Sequence, residues 1–209
     1  MKLLKPADNI YHISCDTMKE LTLTFCRVQE FYESPIEGLR GRYFDFFEFI
    51  QAQMKDDGRL DYFKDWAGFN FPSDVYWKWL NAQGGEHTRL ERQLMDLLPQ
   101  DIEPKFYVIG TLEDDVAAID HELAHAYFYL NEDYREEVKA TIAASPTELT
   151  YNLQTHLLGM GYDESVLYDE VNAYLATSNA HFLSDFGIDY YEYQSVIDHF
   201  HAMFEEQNG

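Results

Sequence analysis

The sequence predicts a predominantly helical α+β fold, in which a short β-strand or small sheet precedes one long helix. Helical apolar spacing and capping signals dominate the second half of the chain. Residues 106–109 (FYVI) form a short apolar run of strand-forming residues between a proline and a glycine. The 209 residues are 46% hydrophobic, which is enough for a sizeable core. We expect one domain over residues 1–209, with an N-terminal part at 1–104 and a helical part at 105–209.

The first hundred residues alternate between short elements and turns. Residues 1–35 are ambiguous, but the polar and apolar alternation in ELTLTF predicts a strand. Aromatic residues that recur at helical spacing predict the first helix. The elements predicted here are a strand at 20–25, helices at 42–54, 74–80 and 86–98, an aromatic-rich loop at 59–74 and a break at Gly84-Gly85.

Capping signals mark the helix starts in the second half. Thr111-Leu-Glu-Asp114 resembles a capping box that opens a long helix. Ser145-Pro146-Thr147-Glu148 is a second capping box, with proline at the first helical position. Asp163 is the predicted cap of another long helix. The helices predicted in this half run from about 112 to 131, 133 to 143, 145 to 158, 163 to 182 and 190 to 204.

The charge of the chain is strongly one-sided. Thirty-eight acidic residues face fifteen basic ones, which gives a net charge of −23. Phosphate backbones and acidic membranes would be repelled, so we expect no nucleic-acid or membrane partner. Most of this charge is explained by solubility, but a negative charge also favours cationic partners and metal ions. A protein that mimics the charge of DNA is the alternative interpretation.

The sequence predicts a cytoplasmic protein. No stretch approaches the roughly 18–20 uncharged apolar residues of a membrane helix. Pro6 and Asp8 interrupt the N-terminus before any apolar run develops, which argues against a signal peptide. We therefore expect Cys15 and Cys26 to be free thiols in a reducing compartment.

The segment His121-Glu-Leu-Ala-His125 carries the clearest chemistry in the chain. Two histidines four residues apart on a helix project from one face, where both imidazoles can bind one Zn²⁺ at about 2.0–2.1 Å. Glu122 lies beside them and can take a proton from metal-bound water. The opposite side of the predicted helix is an apolar stripe of Val116, Ile119, Leu123, Tyr127 and Leu130.

With a strand before this helix, the pattern resembles the zincin metallopeptidases, in which a short sheet lies over the active-site helix and its edge strand holds the substrate. The metzincin motif HExxHxxGxxH is absent, because Phe128 and Asn131 replace its glycine and third histidine. Gluzincins take a glutamate from a later helix, and residues 168–174 (YDEVNAY) resemble that segment. This implies Glu170 as the third metal ligand, with Asp169 as the alternative, and leaves a fourth position for water.

The chain departs from thermolysin-type enzymes four residues after the glutamate. Tyr174 stands where their aspartate steadies a ligand histidine. That partner must come from elsewhere, and Asn172 and Asp120 are the candidates. Catalysis also needs a hydrogen-bond donor to the oxyanion. Tyr174 and His181, on roughly the same helix face as Glu170, are the candidate catalytic residues for that role.

A second resemblance covers most of the chain. Residues 25–35 (FCRVQEFYESP), 41–44 (GRYF) and 65–72 (DWAGFNFP) resemble a pattern in uncharacterised phage, viral and bacterial proteins. These proteins also carry HExAHAxxYLNxxYRxE and GYxxxVxxDExxAY segments, which match 121–137 and 161–174. The resemblance implies that the N-terminal half belongs to the same functional unit, but it brings no substrate.

We therefore expect a zinc metallopeptidase of gluzincin type, with Zn²⁺ as cofactor and peptide or protein substrates, cationic ones in particular. The ligand set also suits iron, manganese, cobalt and nickel, so the metal stays open. One alternative is a non-catalytic acidic binding protein whose metal is structural or absent. Another is a metal-dependent amidase that acts on a small molecule or a cell-wall fragment.

Overall fold

The computed structural model describes residues 1–82, 86–102 and 104–208, and the predicted break at Gly84-Gly85 lies outside them. Helices dominate, and a four-stranded mixed sheet comes before the long histidine-bearing helix in the chain. The predicted α+β, predominantly helical class is confirmed. The chain divides into two compact units, Met1–Ile119 and Asp120–Gly209.

In its described residues, the first unit holds the sheet, five complete helices and the start of a sixth. The strand order is β1-β2-β4-β3, in which β2 and β4 are parallel and both outer pairs are antiparallel. The strands are β1 (Lys2–Leu4), β2 (Ile10–Cys15), β3 (Gly68–Pro72) and β4 (Tyr107–Leu112). The helices are α1 (Met18–Glu33), α2 (Phe46–Gln53), α3 (Tyr62–Asp65), α4 (Ser73–Ala82) and α5 (Arg89–Leu97).

The predicted strand at 20–25 is wrong, because these residues belong to helix α1. The Thr17 hydroxyl caps the helix by accepting a hydrogen bond from the Glu20 amide at 3.1 Å. Leu21, Phe25 and Val28 are fully buried at helical spacing. A cap and a long apolar helical face together outweigh six residues of local alternation.

The predicted loop at 59–74 is also wrong, because it contains α3 and β3. Phe69 and Phe71 alternate with the half-buried Gly68 and Asn70, as a strand requires, and lie opposite Gly110 and Val108 of β4. Both phenylalanine rings are fully buried. Pairing with a distant strand, rather than local sequence, decides the conformation here.

Strand β4 confirms the predicted strand at 106–109 and runs three residues further. Gly110 permits a close approach of helix α1, since a Cβ atom there would lie 2.4 Å from ring atoms of Phe25. Helix α1 is also joined to α5 by a buried ion pair. Arg27 donates from Nε and Nη2 to the two carboxylate oxygens of Glu91, at 2.7 and 2.6 Å. Phe25 belongs to the aromatic-rich core of the unit.

The second unit is built from helices around a central one. Its elements are α6 (Val116–Leu130, which begins in the first unit), α7 (Glu132–Ala144), α8 (Thr147–Met160), a 3-10 turn (Glu164–Val166), α9 (Leu167–Thr177), α10 (Ala180–Asp185) and α11 (Gln194–Asn208). Helix α9 packs against α7, α8 and α11. Residues 170–176 are all buried, so α9 is covered on every side beyond its first turn.

Several predicted helix starts are corrected by the capping contacts. Helix α6 starts later than predicted, since Thr111 lies in β4 and Asp115 accepts the Ala118 amide at 3.1 Å. Pro146 precedes α8 without a side-chain cap, so the second capping box does not form. The predicted helix at 163–182 is interrupted, because Asp163 caps the 3-10 turn and Asn179 caps α10.

The last predicted helix, at 190–204, corresponds to α11, which begins at Gln194 and ends at Asn208. No helix in the described part of the chain combines the length and apolar character needed to cross a membrane.

Candidate metal centre

Helix α6 brings the two histidines of the HExxH segment together. The i, i+4 spacing places their side chains one turn apart on the same face. The Nε2 atoms of His121 and His125 lie 3.3 Å apart, so the two nitrogens face the same small volume. His125 is 3% exposed and His121 is partly buried, which shields this volume from bulk water.

Helix α9 adds a carboxylate to the same volume. Oε1 of Glu170 lies 3.7 Å from Nε2 of His125, and the Glu170 side chain is buried. One potential ligand atom from each of His121, His125 and Glu170 lies within 4.8 Å of the others. The structure therefore brings together the three residues that the sequence predicts as metal ligands, from two helices distant in the chain.

A buried hydrogen-bond network fixes α9 beside α6. Asn172 is fully buried, and its Oδ1 accepts the hydroxyl of Tyr134 at 2.8 Å. Its Nδ2 lies 3.4 Å from the carbonyl oxygen of Ala124, which it faces as a donor. Because Asn172 follows Glu170 by two residues, these contacts set the position of the carboxylate relative to His125. Asn172 therefore supports the helices and is not the partner of a ligand histidine.

Two of the three donor separations match those around a tetrahedral zinc ion. Bonds of about 2.0–2.1 Å at tetrahedral angles would place two ligand atoms about 3.3–3.4 Å apart. The separation between the imidazole nitrogens is 3.3 Å, and that between His125 and Glu170 is 3.7 Å. Two imidazoles and one carboxylate are also the donor set of many catalytic zinc sites, which keep the fourth position open.

Asp169 contacts the other edge of His125. Its Oδ1 lies 2.9 Å from Nδ1 of the imidazole, whereas Nε2 faces His121 and Glu170. Asp169 was the alternative ligand, but the triad within 4.8 Å contains Glu170 in its place. Sequence reasoning proposed Asn172 or Asp120 as the histidine's partner and missed Asp169. The available signal was an aspartate directly before the proposed ligand.

The two histidines have opposite electrostatic environments. Burial, with the positive charge of His125, lowers the pKa of His121 to about 3. Burial lowers the pKa of His125 as well, but the carboxylates of Asp169 and Glu170 outweigh it and hold this pKa well above its usual value. The local field thus favours positive charge close to His125.

Glu122 belongs to the same surroundings. It is buried on α6, directly after His121 in the chain. Its negative charge is one of the smaller causes that raise the pKa of both His125 and Tyr174. A carboxylate is therefore available beside the histidines, as the HExxH pattern predicts.

Of the two candidate oxyanion donors, Tyr174 lies against the triad. Its ring centroid is 4.9 Å from that of His121, and the ring is buried. Burial raises the pKa of its hydroxyl to about 12, although a hydrogen bond with Tyr162 acts in the opposite direction. The hydroxyl therefore stays protonated at neutral pH. His181 lies on α10 with an exposed side chain, outside the triad, and its role stays a prediction.

Compared with protein-family models, curated protein sequences and solved structures, the chain matches none of them.

Proposed function

We propose that this protein is a zinc-dependent peptidase of gluzincin type. The observation that carries the proposal is the convergence of His121, His125 and Glu170 within 4.8 Å. The three residues are a donor set suited to zinc, and Glu122 is buried beside them. A structural zinc site closes its coordination with four protein ligands, whereas three ligands and a nearby carboxylate are typical of hydrolysis.

In the proposed mechanism, His121 and His125 would hold the ion through Nε2 and Glu170 through Oε1. When bound, zinc supplies Lewis-acid polarisation of a water molecule or a carbonyl group. The Glu122 carboxylate takes a proton from the attacking water and passes it to the leaving amine nitrogen. The hydroxyl of Tyr174 donates a hydrogen bond to the developing oxyanion, with His181 as the second candidate.

The charge of the chain supports cationic peptides or proteins as substrates. A net charge of −23 attracts positively charged segments and repels nucleic acid and acidic membranes. We place the activity in the cytoplasm, because Cys15 and Cys26 are both free and buried and need no oxidising compartment.

The first test measures metal content by elemental mass spectrometry, on protein purified without a metal-affinity tag. We expect about one zinc per chain in the parent, and a sharp loss in Glu170→Ala because one of three ligands is gone. Glu206→Ala removes an exposed carboxylate of α11 and should keep the metal. If neither the parent nor the control holds a transition metal after zinc is added, the proposal fails.

The second test separates metal binding from catalysis. Glu122→Gln should retain zinc, because Glu122 is not a ligand, but lose hydrolysis by a factor of about 10² or more, because the amide cannot accept the proton. The readout is cleavage of a library of cationic peptides, followed by mass spectrometry. Cleavage by Glu122→Gln at the rate of the parent would rule out this mechanism.

The net charge also favours a second candidate function, a non-catalytic protein that binds a basic partner. If the protein has this function, the parent and the His121→Ala variant should bind a cationic polypeptide equally well. The peptidase should instead lose both zinc and hydrolysis with that substitution. Binding of polylysine, zinc content and cleavage measured on the same two proteins distinguish these functions.

A further inference from the structure

We propose that Asp169 is a positioning residue that orients the imidazole of His125, so that Nε2 and not Nδ1 is presented to the metal. This inference rests on the metal site of the proposed function, although not on its hydrolytic step. The observation behind it is the contact between Oδ1 of Asp169 and Nδ1 of His125, at 2.9 Å.

The two nitrogens of His125 have different partners. Nδ1 faces a carboxylate, while Nε2 faces the Nε2 atom of His121 at 3.3 Å and Oε1 of Glu170 at 3.7 Å. An ionised carboxylate only accepts hydrogen bonds, so it favours a proton on the nitrogen that faces it. In the metal-binding form of His125, in which only Nδ1 keeps a proton, the lone pair of Nε2 is directed toward the triad.

Helix geometry explains how one turn of α9 supplies both the ligand and its support. Asp169 and Glu170 are consecutive residues, and consecutive side chains on a helix diverge by about 100°. This divergence lets them approach the two separate nitrogens of one imidazole. Any shift of α9 that moved the ligand carboxylate would therefore also move the supporting carboxylate.

Burial makes the contact effective. The side chain of His125 is 4% exposed and that of Asp169 is 21% exposed, so water competes little for the shared proton. The attraction between a carboxylate and an imidazole is screened less in such surroundings than on the surface. Asn172, the nearest amide on the same helix, is bonded to Tyr134 and leaves this role to Asp169.

The test compares zinc affinity, measured by competition with a chromophoric chelator, for the parent, Asp169→Asn and Asp169→Ala. We expect affinity to fall by about 10- to 100-fold in Asp169→Ala, the usual effect of losing such a partner. The zinc affinity of Asp169→Asn should fall less, since its amide oxygen can accept a hydrogen bond from Nδ1–H. Asp133→Asn, which neutralises an exposed aspartate in the first turn of α7, should leave affinity unchanged.

Two further readouts distinguish positioning from a general structural role. In long-range ¹H–¹⁵N spectra of the zinc-loaded parent, His125 should bind through Nε2 and show a slowly exchanging Nδ1 proton, which Asp169→Ala should lose. The melting temperature of the zinc-free chain measures the structural contribution alone. Unchanged zinc affinity in Asp169→Ala, or binding of His125 through Nδ1, would overturn the inference.

The outcomes separate this inference from the proposed function. If the parent binds zinc and Glu170→Ala does not, but Asp169→Ala binds as tightly as the parent, only the role of Asp169 fails. If zinc affinity falls as expected and no peptide is cleaved, the role of Asp169 stands without the peptidase. If the parent binds no zinc, both fail together.

Discussion

At the scale of single residues, burial makes the two cysteines chemically inert. Burial raises the pKa of the Cys15 thiol to about 12 and raises that of Cys26 further. A thiol acts as a nucleophile or a metal ligand only as the thiolate, so neither cysteine does so in the folded chain at neutral pH. The chemistry that we propose therefore makes no use of the cysteines.

These raised pKa values predict a loss of stability in alkali. The unfolded thiols ionise above about pH 8.5 while the folded ones stay protonated, so the unfolding free energy falls as pH rises toward the folded pKa. Between pH 8 and pH 10 the loss should be up to about 2 kcal/mol per thiol. Guanidinium unfolding at several pH values measures it, and Cys26→Ala should show a shallower dependence than the parent. An equal slope in both proteins would contradict the assignment.

At the same scale, the candidate site divides into what local rules predict and what they do not. His121 and His125 follow from their spacing on one helix, which needs no knowledge of the rest of the fold. Glu170 was predicted only through a resemblance, because its approach depends on how α9 packs. The role of Asp169 was missed, since sequence does not tell which edge of an imidazole a neighbouring carboxylate will face.

At the scale of elements, contacts between distant segments explain the errors. Strands β2 and β3 are short, and each pairs with β4, which lies much later in the chain. The helices of the second half were predicted because caps and apolar spacing are local signals. The observed boundaries differ from the predicted ones wherever another residue supplies the cap, as Asp115 does for α6 and Asn179 for α10.

The close packing of α1 on β4 predicts an asymmetric effect of glycine substitutions. Gly110→Ala should destabilise the protein by about 1–3 kcal/mol, because the added Cβ lies 2.4 Å from the ring of Phe25. Gly159→Ala is the control, since Gly159 lies within α8 with open space around it. This change should stabilise the protein by up to about 1 kcal/mol. Chemical denaturation of both variants measures the difference, and equal effects would contradict the packing.

At the scale of the whole molecule, the excess of negative charge predicts that salt stabilises the fold. Acidic side chains outnumber basic ones by 38 to 15, so folding brings like charges together. Raising ionic strength from about 0.01 M to about 1 M shortens the Debye length from about 30 Å to about 3 Å. The melting temperature should rise over this range, equally in NaCl and KCl. A constant or falling value would mean that repulsion does not limit stability.

The placement of the triad on α6 and α9 has a consequence for the lifetime of the protein. Glu170 follows His125 by 45 residues (170 − 125), so an ion held by both would act as a cross-link that closes a long loop. Saturation at about 100 times the dissociation constant would add about 2.7 kcal/mol of folding free energy. Metal supply would then set the folded fraction of the protein, and scarcity of the ion would leave more of the chain unfolded and open to degradation.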